Sequence, residues 1–144
     1  MYQSLNASSN YQWRAVILFG LVYLVVGVFF PNPSASNKSQ FMWRLGAWLT
    51  CALAFAIHIA LEHFRFRDSQ YRTALHTAVS VSIGAFTLAA AANIHALRTG
   101  TGNPRLLALA LVIWPIIAGV PAFIVALVVA TLLARLRPKK DLSL

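Results

Sequence analysis

Acidic residues are nearly missing from this 144-residue chain: Glu62, Asp68 and Asp141 are its only carboxylate side chains, against 12 lysines and arginines. The paired carboxylates of acid–base hydrolysis are therefore not in evidence. Cysteine is limited to Cys51, so one copy can form no disulfide, CxxC redox pair or multi-thiolate zinc or iron–sulfur site. Set among Thr50, Ala52 and Leu53, Cys51 reads as a small packing residue. The phosphate-cradling GxxxxGK, HExxH and GxSxG patterns are absent as well. An independent enzyme of the soluble type is not expected.

What is present is apolar. Hydrophobic residues make up 59% of the chain and charged ones 10%, more apolar surface than a water-soluble fold of this length can hide. The formal charge of +9 suggests nucleic acid only if the basic residues share one solvated face. Here they form short clusters between long uncharged stretches, the pattern of basic residues flanking membrane helices and meeting anionic headgroups. Nucleic acid is excluded as a partner on that ground, and membrane lipid takes its place.

Four stretches contain no charged residue: 15–37, 45–61, 73–97 and 106–134. About 20 residues suffice to cross a hydrocarbon layer about 30 Å thick. The expected fold is all-α, an integral membrane four-helix bundle with short loops, one domain over 1–144. Its helices are placed at about 13–30, 41–64, 70–97 and 105–135, between a polar N-terminal tail (1–12) and a basic C-terminal tail (135–144). Arg14, the apolar run after it and Ser34-Ala35-Ser36 also resemble a secretory signal peptide; the segment is read as a retained helix. Pro31, Asn32 and Pro33 end the first helix. Asp68 or Ser69 suits the N-cap of the third, and Gly100, Gly102 and Pro104 mark a flexible turn before the fourth. Pro115 and Pro121 each remove a backbone donor from the last helix, which is expected to kink or tilt.

Eight basic residues (Arg14, Arg65, Arg67, Arg72, Arg135, Arg137, Lys139, Lys140) fall on the side of both termini, and four (Lys38, Arg44, Arg98, Arg105) on the other. The positive-inside rule then puts both termini in the cytoplasm. The abundance of Arg and Ala and the compact loops suggest a bacterial inner membrane. Asn6 and Asn37 open N-x-S/T triplets, and in a eukaryote Asn37, on the predicted outer side, is a glycan acceptor.

Apolar burial drives helix association weakly in lipid, so small side chains and interhelical hydrogen bonds carry the packing. Small residues recur every fourth position as Ala52, Ala56 and Ala60 on the second helix and as Ala118, Ala122, Ala126, Ala130 and Ala134 on the fourth. Thr73, Thr77, Ser80, Gly84, Thr87 and Ala91 make a comparable stripe on the third. These are the expected packing faces.

Chemistry is concentrated in His58, Glu62, His63 and His76, with Arg72 nearby. His58 and Glu62 are four apart on one helix face, and His76 lies at a similar distance from the hairpin on the next, antiparallel helix. Facing histidines suit a haem iron, His58 and His76 with Glu62 suit zinc or a similar ion, and a buried His–Glu pair suits a proton relay. His95 lies at the far end of the third helix. His58 and His95 each follow an alanine by four residues, Ala54 and Ala91, a spacing seen before chlorophyll-ligating histidines. The cofactor sites to test are thus His58, His76 and His95 for haem or a chlorophyll-type pigment, and His58, Glu62 and His76 for a metal. The plainer reading is structural: Glu62 bridges to Arg65 or Arg72, and the histidines bond neighbouring helices.

The reading that best fits these features is a non-catalytic membrane subunit or scaffold, docking through its helix faces into a larger membrane complex or against copies of itself. A small oligomeric transporter or channel, lined by Thr73, Thr77, Ser80 and Thr87, stands second. A haem- or pigment-binding electron-transfer or light-harvesting subunit stands third.

Overall fold

The computed structural model describes residues 2–29, 37–66 and 69–136, with side chains for 11–29, 39–64 and 69–136. It contains four helices: α1 (Tyr2–Phe29), α2 (Asn37–Leu61), α3 (Gln70–Thr99) and α4 (Pro104–Leu136). A π-helical turn, Glu62–Phe66, continues α2. Each helix holds a segment long and apolar enough to cross a membrane: Tyr11–Phe29, Ser39–Phe64, Gln70–Thr99 and Pro104–Leu136. The surface agrees with lipid as solvent. Leu18, Phe29, Trp48, Leu106, Ile117 and Val128 are all exposed, and an apolar surface of this extent is foreign to a water-soluble monomer. The chain is a multi-pass membrane protein.

Two helices begin earlier than the sequence predicts. The polar stretch before Gln12 is helical from Tyr2, because it contains no proline or glycine to stop α1 from extending beyond its apolar part. For the same reason Asn37-Lys38-Ser39-Gln40 joins α2 and leaves a shorter loop. Residues 30–36, with Pro31 and Pro33, and the tail from residue 137 lie outside the described residues.

The α3–α4 connection is tightly capped. Gly100 has φ 66°, the left-handed conformation that favours glycine, and its N–H closes α3 on the Ala96 carbonyl. Gly102 also has positive φ, at 90°. Asn103 then caps α4: its Oδ1 accepts from Arg105 N at 3.0 Å and its carbonyl from Leu107 N at 3.0 Å. Pro104 takes the first helical position, where a missing N–H costs nothing. Ser69 is the N-cap of α3, accepting from Arg72 N at 3.4 Å; Asp68, the other candidate, is outside the described residues. α4 continues as one helix through Pro115 and Pro121.

α3 makes the most extensive contacts with the other helices. It packs chiefly on α4, running antiparallel, and on α1, running parallel, whereas α2 meets its neighbours sparsely. Small residues make the close approaches. A Cβ on Gly84 would lie 2.6 Å from Tyr23 Cβ and 3.2 Å from the Gly20 carbonyl, so α1 and α3 touch nearly backbone to backbone there. Hydroxyls and an amide tie the same interfaces. Ser80 Oγ donates to Val16 O of α1 at 2.9 Å, Ser82 Oγ to Pro115 O of α4 at 3.1 Å, and Asn93 Nδ2 to Leu107 O at 3.0 Å. These bonds fix the register of three helices that greasy contact alone would leave free to slide.

Candidate functional site

Where α2 gives way to the π-helical turn, Glu62 is fully buried. One carboxylate oxygen, Oε2, accepts from His76 Nδ1 of α3 at 3.2 Å. The other, Oε1, lies 3.7 Å from His58 Nε2, an ion-pair distance longer than a hydrogen bond. Helical spacing alone brings His58 to Glu62, since residues four apart share a face. His76 arrives from across the hairpin.

α1 completes the enclosure. The Phe19 ring stacks on His58, with centroids 4.4 Å apart and planes 6° from parallel. Trp13 leans on His76 at 5.9 Å and 51°. His58 is fully buried, His63 is 3% exposed and the His76 side chain 14%. Below His76 on α3, Thr73 and Thr77 are buried too, and Thr77 Oγ1 donates to Thr73 O at 2.8 Å. Among the described residues, neither His58 nitrogen, nor Glu62 Oε1, nor Thr73 Oγ1 has a hydrogen-bond partner. Buried polar atoms of this kind are ordinarily completed by water.

The structure thus joins three of the sequence-selected residues, His58, Glu62 and His76, around one carboxylate. Both imidazoles are turned to Glu62. Among the described residues, no three His, Cys, Asp or Glu side chains are arranged to hold a metal ion. His95 stands apart, exposed near the other end of α3. Arg72 is exposed at the start of α3 and forms no ion pair with Glu62, and the side chain of Arg65 is outside the described residues. Histidine, not arginine, therefore meets the carboxylate among the described side chains.

The packing stripes divide into two groups. On α3 and α4, Ser80, Gly84, Ala126 and Ala130 are buried, and Ala118 and Ala122 are half-buried. On α2, Ala52 and Ala56 are exposed and Ala60 is half-buried. Of the four hydroxyls suggested for a pore, three are turned to backbone carbonyls, Ser80 to Val16 O, Thr77 to Thr73 O, and Thr87 to Ile83 O and Gly84 O, whereas Thr73 Oγ1 is buried without a hydrogen-bond partner among the described residues.

Sequence reasoning missed the α1 residues Phe19 and Trp13, because no spacing within α2 or α3 reports what a distant helix brings. It also missed a second feature, an open apolar cavity of about 800 Å³ bordered by all four helices. Phe55 stands at the end nearer Glu62, and Trp48 and Trp114 also line it. No protein-family model, curated protein or solved structure matches this chain.

Proposed function

We propose that this protein is a non-catalytic membrane subunit that docks a further membrane helix on the outer face of α2. One observation carries the reading: the ridges of α3 and α4 are buried within the chain at Ser80, Gly84, Ala126 and Ala130, whereas the ridge of α2 is exposed at Ala56 and, at the rim of the apolar cavity, at Ala52. Alanines at a four-residue spacing gain little from lipid contact but let another backbone come close. Leu49, Leu53 and Ile57 beside them are exposed and supply the side chains that interlock with a partner. The weak hold of α2 on α3 and α4 leaves it free to adjust to that partner.

The buried Glu62 cluster serves this role as an internal clasp, a polar tie between the end of α2 and α3 beside the packed cluster of Ile59, Ala74 and Ala126. Both termini lie in the cytoplasm of a bacterial cell under this reading, with eight of the 12 basic residues at that surface. A photo-crosslinker placed at Ala56 in native membranes tests it. Discrete protein adducts are expected there and not from Val128 on α4; lipid adducts alone at both positions contradict it.

A further inference from the structure

We infer that His58, Glu62 and His76 together form a proton-binding site, loaded from the adjoining water through His76, that sets how firmly the end of α2 holds α3. Glu62 is the one acidic side chain among the described residues, and no fixed cation is buried with it, since every arginine whose side chain is described is exposed. The elements packed around it bring neutral groups. From α1 come Phe19, stacked on His58, and Trp13, against His76. α3 adds the buried Thr73 and Thr77, and α4 adds Ala126 of the adjoining apolar cluster. His63, next in the π-helical turn, is buried with its ring edge-on to Phe64 at 5.1 Å. A net charge enclosed in this way is costly, so the carboxylate is balanced by a proton, carried on an imidazole or on the carboxyl itself.

Geometry gives that proton its places and its entry. Each oxygen of Glu62 has one imidazole: His76 Nδ1 at 3.2 Å from Oε2, and His58 Nε2 at 3.7 Å from Oε1. The second contact is longer than a hydrogen bond, and both of its atoms are buried without a hydrogen-bond partner among the described residues. Groups this close to one carboxylate gain and lose protons as a unit. His58 is sealed, fully buried with Phe19 over its ring face. His76 keeps 14% of its side chain accessible and lies within two turns of the start of α3, so protons pass there. Glu62 itself opens the π-helical turn, a wide geometry that recurs at functional positions. Ionisable groups enclosed in this way within a membrane helix commonly mark proton sites. Loading has a mechanical consequence, because the His76–Glu62 bond joins α3 to α2. With a charged imidazole as donor it is roughly twice as strong as with a neutral one. Proton uptake thus tightens the tie between the two helices, and release slackens it.

Magnetic resonance of the full chain in lipid nanodiscs, with isotope-labelled histidine nitrogens, tests this between about pH 8 and about pH 5, the range in which imidazoles change charge. The His58 and His76 signals, assigned through His58→Asn and His76→Asn with exposed His95 as reference, are expected to shift together, each responding to both steps of proton uptake. Glu62→Gln should uncouple them, so that each ring follows a single step. Acidification should also quench tryptophan emission, because a charged imidazole quenches an adjacent indole, and either Trp13→Phe or His76→Asn should remove that loss. Signals of His58 and His76 that stay fixed across the range in the wild type, a measurement that depends on no variant folding, overturn the proton site. Titration that is the same in Glu62→Gln as in the wild type overturns it as well, and quenching that persists in His76→Asn overturns His76 as the entry. The docking face of α2 stands or falls separately, on the Ala56 cross-link.

Discussion

Glu62 is the residue on which the end of α2 depends. A carboxylate taken fully out of solvent is costly unless it keeps partners, and His76 at 3.2 Å and His58 at 3.7 Å are the partners it has. Removing one member of such a cluster leaves the others buried and unsatisfied, which costs about 1–3 kcal/mol. Glu62→Ala is therefore expected to lower the thermal unfolding midpoint of the detergent-solubilised chain. Glu62→Gln, which keeps an acceptor for His76, should lower it less. Equal stability in Glu62→Ala would show that the cluster is not a clasp. His95→Ala should be silent in the same assay, because His95 is exposed and far from the cluster.

At the scale of the helices, glycine positions separate rigid contacts from adjustable ones. At Gly84 an added methyl meets Tyr23 Cβ, an atom fixed to the α1 backbone, so α1 and α3 must part. At Gly119 the first obstacle is the Ser82 hydroxyl, which can rotate away if it gives up its bond to Pro115 O. Gly84→Ala should accordingly cost about 1–3 kcal/mol, the usual range for overpacking. Gly119→Ala should cost nearer the about 0.6 kcal/mol typical of one hydrogen bond between membrane helices. Matched unfolding curves of the two variants check the order, and a larger loss at Gly119 would refute it. Elements of this kind were legible in the sequence wherever a local signal marked them. Uncharged length located the four spans, Ser69 its cap, and the four-residue spacing the approach of His58 to Glu62. The early starts of α1 and α2 were not legible, since polar residues continue a helix wherever no proline or glycine stops it. The Phe19 stack and the cavity depend on how distant helices sit together, which no periodicity encodes.

At the scale of the whole molecule, an even number of spans returns both termini to one side. Under the proposed orientation, eight basic residues against four put that side in the cytoplasm by the positive-inside rule. Cysteine accessibility at residue 3 and residue 142, in a chain with Cys51 replaced by alanine, should show both positions reactive only once the cytoplasmic face is opened; labelling of either from outside would reverse the orientation. Three helices pack well among themselves, and under the proposed function α2 is left to engage another polypeptide. Extraction from native membranes in mild detergent, followed by sizing chromatography with protein stoichiometry, measures this most directly. A defined partner is expected in fixed ratio to the chain, lost on Ala56→Trp. A chain that elutes alone, or only with copies of itself, and is unaffected by Ala56→Trp would contradict it.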